Sequence, residues 1–263
     1  MQEILEGPPD IVAMGNSISI TRMAGLPEIR PGDDLSSLII QAIRKNCGKL
    51  EEGDVCVIAQ KIVSKAEGRL VSLNTVEPSS KALEFAEAFD KDARLVEVVL
   101  SESKRIVRME RGIIISETWH GFVCANAGVD SSNADAGLVV LLPSDPDASA
   151  RRVRDSLKNE FDTEVAVVIS DTFGRPWREG LVNVAIGVAG LAPLIDYRGQ
   201  PDSKGHTLRV TIIAVADELA SAAELMMKKT DGVPAVIIRG FEYERREASN
   251  QEMIRRGELD LFR

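Results

Sequence analysis

A chain of 263 residues, 44% of them hydrophobic, carries enough apolar material for one large domain or two modest ones, which excludes wholesale disorder. Its formal net charge of −9 makes duplex nucleic acid and anionic membranes poor partners. Three cysteines without CxxC spacing and two distant histidines exclude a thiolate zinc site or a disulfide framework, and no apolar run reaches the ~20 residues of a membrane span. A reducing cytoplasm is the expected location.

Residues 1–15 read as a loose leader, because Gly7-Pro8-Pro9 interrupts any regular element and no signal-peptide pattern is present. Ile18 and Ile20 alternate as in a strand. After the loop Gly25–Gly32, Asp33 or Asp34 caps a helix whose stripe is Leu35, Leu38, Ile39, Ala42 and Ile43. Asp54–Ala59 is a short apolar strand running into the polar, basic stretch Gln60–Arg69. Residues 79–103 predict one or two helices broken near Phe89-Asp90, and Lys104–Ser116 a strand pair turning at Glu110-Arg111-Gly112. The small apolar run Phe122–Val129 ends in Asp130-Ser131-Ser132-Asn133, Leu138–Leu142 is a strand, and Pro146 or Asp147 starts a helix to Phe161.

Val165–Ile169 is a continuous apolar run, the pattern of a fully buried strand. It stops at Ser170-Asp171-Thr172, and Arg175, Arg178 and Glu179 follow as an expected loop. The small residues Ala185–Gly190 predict close packing. Thr207–Ala214 reads as a strand, and residues 215–229 as a helix with Asp217 and Glu218 in its first turn and Lys228 and Lys229 in its last. Pro234–Ile238 is the last buried strand, residues 16–245 form the expected domain, and residues 246–263 are a charged tail with surface helix. Strands in clusters, with helices not strictly alternating, predict an α+β fold rather than a doubly wound sheet.

Three apolar segments end in polar groups: Gln60-Lys61 with Lys65, Asp130 with Asn133, and Asp171 with Thr172. Brought together, they offer the oxygen-rich set that Mg²⁺ or Mn²⁺ prefers, with a lysine to offset phosphate charge. Neither GxxxxGK[ST] nor a GxGxxG after a strand occurs, so the chain is neither a P-loop nor a Rossmann protein. Taken alone, Asp130 with Asn133 reads equally as an Asx turn, and Lys65 as a solvated cation. Arg175 and Arg178 read either as an anion clamp or as ion-pair partners. Cys124, inside an apolar run, reads as a buried small residue.

The segments GLPEIRPGDDL, IAQKIVSKAEGR, NAGVDSSN, ISDTFGRPWREGLVNVAIGVAG, ADELASAAELM and DGVPAVIIRG, in this order from about Ser17 to Gly240, together resemble the coenzyme F420-0:L-glutamate ligase (F420:gamma-glutamyl ligase) family. The resemblance implies a two-part α+β architecture, in an intertwined homodimer. It implies a GTP-dependent amide ligase that joins L-glutamate to a deazaflavin coenzyme precursor, with later residues gamma-linked. It also implies Mg²⁺ or Mn²⁺, as two ions, with potassium as an aid. Carried onto this sequence, Asp130 and Asp171 match metal-binding aspartates and Thr172 a ligand of the second ion. Asn133, Lys65, Gln60-Lys61 and the loop Leu26-Pro27-Glu28-Ile29 match nucleotide contacts. The expected catalytic set is Asp130, Asp171 and Lys65.

One segment departs from the pattern. Where relatives carry a glycine-rich nucleotide loop with an acidic metal ligand, this chain has Lys228-Lys229, which leaves the second ion's coordination open. Two other functions compete on the same residues: a metal-dependent nucleotide phosphohydrolase, and a non-catalytic dimer that binds GDP or GTP.

Overall fold

A computed structural model describes residues 17–130 and 137–260. The expected leader therefore lies outside the described residues. In chain order the elements are β1 (Ser19–Arg22), α1 (Leu35–Asn46), β2 (Val55–Ala59), α2 (Gln60–Ala66), β3 (Leu70–Ser72), α3 (Ser80–Phe89) and α4 (Ala93–Ser101). They continue with β4 (Ser103–Glu110), β5 (Ile113–Thr118), β6 (Val123–Ala125), β7 (Leu138–Val140), α5 (Pro146–Phe161), β8 (Ala166–Arg175) and β9 (Arg178–Ala189). Last come β10 (Ile195–Asp196), β11 (Ile212–Ile213), α6 (Val215–Met227) and β12 (Ala235–Arg239). This is a mixed α and β protein with several sheets, as expected. No helix among the described residues is long and apolar enough to cross a membrane.

Five strands form the main sheet in the order β1-β12-β2-β8-β9. Only β2 and β8 run parallel; the other neighbours are antiparallel. The continuous apolar runs of β2, β8 and β12 follow from cover on both faces, because alternate side chains each meet a different core. Cys56, Ile58, Val167, Ile169 and Ile237 pack with Ile39 and Ile43 of α1 and Val153 and Leu157 of α5. Val55, Val57, Val168, Val236 and Ile238 pack with Leu219, Ala220 and Ala223 of α6. Two further apolar clusters join α3 and α4 to β5 and join Val98 of α4 to Val139 and Leu141.

Local signals explain the helix starts. The side chain of Asp34 accepts from the backbone of Ser37, and that of Asp145 accepts from Ala148 with Pro146 in the first turn. The turn between β4 and β5 falls at Arg111 and Gly112, both with positive φ, as expected of a tight hairpin.

Four expectations need correction. The strand at Val165–Ile169 does not stop at Ser170: β8 continues to Arg175 and pairs with β9 in a long hairpin, so the expected charged loop is strand. The stretch Thr207–Ala214 forms only the two-residue β11, because Val210 is 86% exposed and finds no core. Helix α6 ends at Met227, and Lys228, at φ 53°, turns the chain away, so neither lysine is in the last turn. The charged tail holds short 3-10 turns at Asn250–Met253 and Gly257–Leu259 in place of a surface helix.

The run Ala185–Gly190 packs tightly, as its small residues predict. A β-carbon at Gly187 would lie 2.5 Å from the carbonyl carbon and oxygen of Pro146, so the start of α5 sits directly on β9. The carboxylate of Asp147 completes this junction, accepting from the backbone N–H of Val188 at 2.8 Å and from the Ser249 hydroxyl at 2.6 Å. Gly187→Ala is therefore expected to cost about 3 kcal/mol, the upper part of the overpacking range, because backbone must move. Urea unfolding checks this; an unchanged midpoint would contradict the close approach.

Candidate active site

Asp171 sits in β8, beside a bulge. Ile169 pairs with Gly187 and Ser170 with Ala185, so Ile186 is an extra residue in β9. Along β8, side chains alternate. Val167, Ile169 and Phe173 pack on the α1 and α5 side, which assigns Asp171 to that face. Thr172 belongs to the α6 side, where its hydroxyl donates to Oδ1 of Asn183 at 2.7 Å. Adjacent in sequence, the two residues serve opposite faces of the strand.

Asp130 is delivered by unusual backbone. Asn126, Ala127 and Gly128 have φ of 52°, 51° and 71°, three left-handed residues in succession. Only Gly128 adopts this freely, and a β-carbon there would meet the Leu142 side chain at 2.8 to 2.9 Å. Beyond this turn, the N–H and C=O of Asp130 both pair with Val140, at 2.9 and 2.8 Å, so its backbone is fixed. Its carboxylate meets the Lys61 ammonium at 2.7 Å.

The two carboxylates are close enough to feel each other. Burial pushes the pKa of Asp171 up from 3.8 to about 6, and the charge of Asp130 adds to the rise. The Thr172 N–H and the charges of Lys229 and Lys61 oppose it. Cys124 on β6 is pushed up to about 12, by burial first and then by the charge of Asp171, so it is a packed thiol and no nucleophile. The charges of Asp130, Lys61 and Lys229 thus all reach Asp171, with Lys61 on the Asp130 carboxylate and Lys229 on Thr172.

Lys61 and Lys65 lie one turn apart on the same side of α2. Lys65, nearly buried, places its ammonium 2.5 Å from the carboxylate of Glu28, which ties the loop Leu26–Ile29 to the helix. Within that loop Ile29 is core, Leu26 packs against it, and Pro27 and Glu28 are exposed. Gln60 is buried, and its amide donates to Leu141 O and to the Ser64 hydroxyl, so that side chain serves packing. Arg175 donates to the backbone carbonyls of Glu179 and Gly180 within its own hairpin, and Arg178 is exposed. Asn133 lies outside the described residues.

Two oxygen-donor aspartates suit a hard divalent ion. A carboxylate held up by desolvation and by a like charge is the group a cation would relieve, so Asp130 and Asp171 fit one ion. Among the described residues no group of three or more His, Cys, Asp or Glu gathers. Thr172 is different. Lys229 donates to its hydroxyl and also pairs with Glu224 at 3.5 Å, and Asn183 donates to the same Glu224 at 3.0 Å. The residues present there do not fit a second ion. Asn183, Glu224 and Lys229 carry no local sequence signal; only the pairing of β8 with β9 and the packing of α6 reveal them.

A family model described as F420-0:Gamma-glutamyl ligase matches residues 25–240. The chain belongs to the F420-0:gamma-glutamyl ligase family. Among similar proteins, the coenzyme F420:L-glutamate ligase of Methanothermobacter thermautotrophicus is 50% identical over 94% of this chain and 99% of its own length. The one from Methanopyrus kandleri is 51% identical, over 90% of this chain and 94% of its own. The one from Archaeoglobus fulgidus is 39% identical, over 94% and 96%. The resemblance read from the six segments is borne out, and with it the expectation of a ligase enzyme of coenzyme F420 biosynthesis. The matched span includes every element of the ligase family member described above that carries Asp130, Asp171 or Lys65.

Proposed function

We propose that the chain attaches L-glutamate to the carboxylate of the deazaflavin precursor F420-0 at the expense of GTP, through an acyl phosphate. The convergence of Asp130 and Asp171, from two separate segments, is the observation that supports it most. A free carboxylate is a poor acyl donor because oxide cannot leave. In this reading a precursor carboxylate oxygen attacks the γ-phosphorus of GTP and the bond to the β-phosphate oxygen breaks, releasing GDP. The glutamate amine then attacks the acyl carbon, phosphate leaves, and the amine gives up a proton.

Asp130 and Asp171 would hold the divalent ion, Mg²⁺ or Mn²⁺, which would supply neutralisation of phosphate charge. Lys61 orients Asp130 through their ion pair. Lys65, at the end of a buried stem, meets phosphate charge, and the loop Leu26–Ile29 borders the nucleotide. No covalent bond to the protein is needed; positioning and exclusion of water protect the acyl phosphate. The dimer and the aid of potassium come with the family resemblance and belong to the same reading.

Mass spectrometry of the deazaflavin product, run beside phosphate release with each substrate omitted in turn, tests the proposal. Product heavier by a glutamate residue, with phosphate released only when all substrates are present, is the expected result. Phosphate released without glutamate marks a phosphohydrolase, and nucleotide binding without turnover marks a binding protein. Either outcome rejects the ligase reading.

A further inference from the structure

The hydrogen bonds around Thr172 close into a ring. The Thr172 hydroxyl spends its one proton on Asn183 Oδ1, the Asn183 amide donates to one oxygen of Glu224, and the other oxygen of Glu224 faces the Lys229 ammonium. That ammonium donates back to the Thr172 oxygen. Asn183 is buried, which fixes the ring on β9, and Ser221 of α6 donates to its carbonyl at 2.8 Å. Lys229 is brought in by deliberate backbone. At Lys228 the chain leaves α6 with φ 53° and ψ 160°, and Asp231 anchors the turn by pairing with Arg22 at 2.7 Å and Lys228 at 3.7 Å.

From this we propose that the Lys229 ammonium is a built-in cation that takes the place of a second divalent ion at Thr172, so that the protein works with one divalent ion per chain. The charge of Glu224 is already balanced by Lys229. An ion reaching the Thr172 oxygen would have to displace the ammonium and sit beside its positive charge. The same ammonium acts on Asp171, on the other face of β8, where it lowers the cost of the charged carboxylate. One fixed charge thus serves both sides of the strand. The inference rests on the reading that Asp130 and Asp171 hold one ion.

Equilibrium dialysis against Mn²⁺, with and without GDP and corrected for Mn²⁺ held by GDP alone, decides it. The expected count is one Mn²⁺ per wild-type chain and two for Lys229→Gln, which opens the ring and leaves Glu224 unbalanced. Adding Thr172→Val to that variant returns the count to one. Two ions on the wild-type chain, or no gain in Lys229→Gln, would overturn the assignment. Lys229 has an exposed side chain, so the variant keeps its fold, and circular dichroism confirms this. A wild-type count of zero would sink the Asp130–Asp171 site instead, and the ammonium assignment would then be decided by whether Lys229→Gln gains an ion.

Discussion

Asp171→Asn is expected to abolish ligation and, in protein stripped of divalent ions, to raise the melting temperature. Both effects have one cause. Asp171 lies in a buried strand near Asp130, and its pKa stands at about 6 against an ordinary 3.8, chiefly through burial. The folded, ion-free protein therefore holds this proton more tightly than the unfolded chain does. Between pH ~4 and ~6 the folded state binds more protons, so stability falls as pH rises through that window and stays lower above it. A difference of about two pH units corresponds to roughly 3 kcal/mol, an upper bound because the side chain is only partly buried and water screens it. Asparagine removes the charge at nearly constant volume, so the variant should lose this pH dependence and gain stability at pH 7. Ligation should drop by about a thousandfold or more, because the phosphates lose their neutralising partner. Thermal melts in chelator from pH 4 to 8, beside turnover, read both effects. A variant less stable than wild type at pH 7, or one with near-normal GDP release in the presence of both substrates, contradicts the assignment.

The sequence exposes Asp171 more readily than its surroundings. The run Val165–Ile169 is legible because a strand covered on both faces must be apolar throughout. Its continuation to Arg175 is hidden, since Thr172, Gly174 and Arg175 pair with the partly exposed start of β9 and show no apolar pattern. Thr207–Ala214 fails in the opposite sense: alternation at Leu208, Val210 and Ile212 looks like a strand, yet only Ile212 and Ile213 are strand, while Thr207, Leu208 and Thr211 make scattered pairings with the 197–201 segment. Asp130 is visible as a polar end to an apolar run, but its meeting with Asp171 depends on three left-handed residues and a two-residue backbone pairing with Val140. The ring around Thr172 is the least legible feature, because its hydrogen bonds Thr172–Asn183, Asn183–Glu224 and Lys229–Thr172 span 11, 41 and 57 residues. Long-range register, set by the bulge at Ile186, brings them together.

Lys65 offers the second large effect, and its sign separates a phosphate-binding lysine from a structural one. The stem of Lys65 is buried and its ammonium meets Glu28, whose side chain is 74% exposed. If that pair existed only to hold the loop, removing either partner would do the same modest damage, since an exposed pair contributes about 0–1 kcal/mol. A lysine that must also meet triphosphate behaves asymmetrically. Lys65→Met should lower kcat/KM for GTP by roughly 100-fold or more, through loss of a preorganised positive charge. Glu28→Gln removes a competitor for the same ammonium, so it should leave GTP affinity unchanged or tighten it by no more than about fivefold. Raising ionic strength should weaken GTP binding to the wild-type protein more than to Lys65→Met, because one fewer charge is then screened. Initial rates and nucleotide titrations on the two variants at low and high salt measure all three. Equal losses in Lys65→Met and Glu28→Gln would reduce Lys65 to a staple between helix and loop, and phosphate charge would then have to be met by other cations of the site, Lys61 first among them.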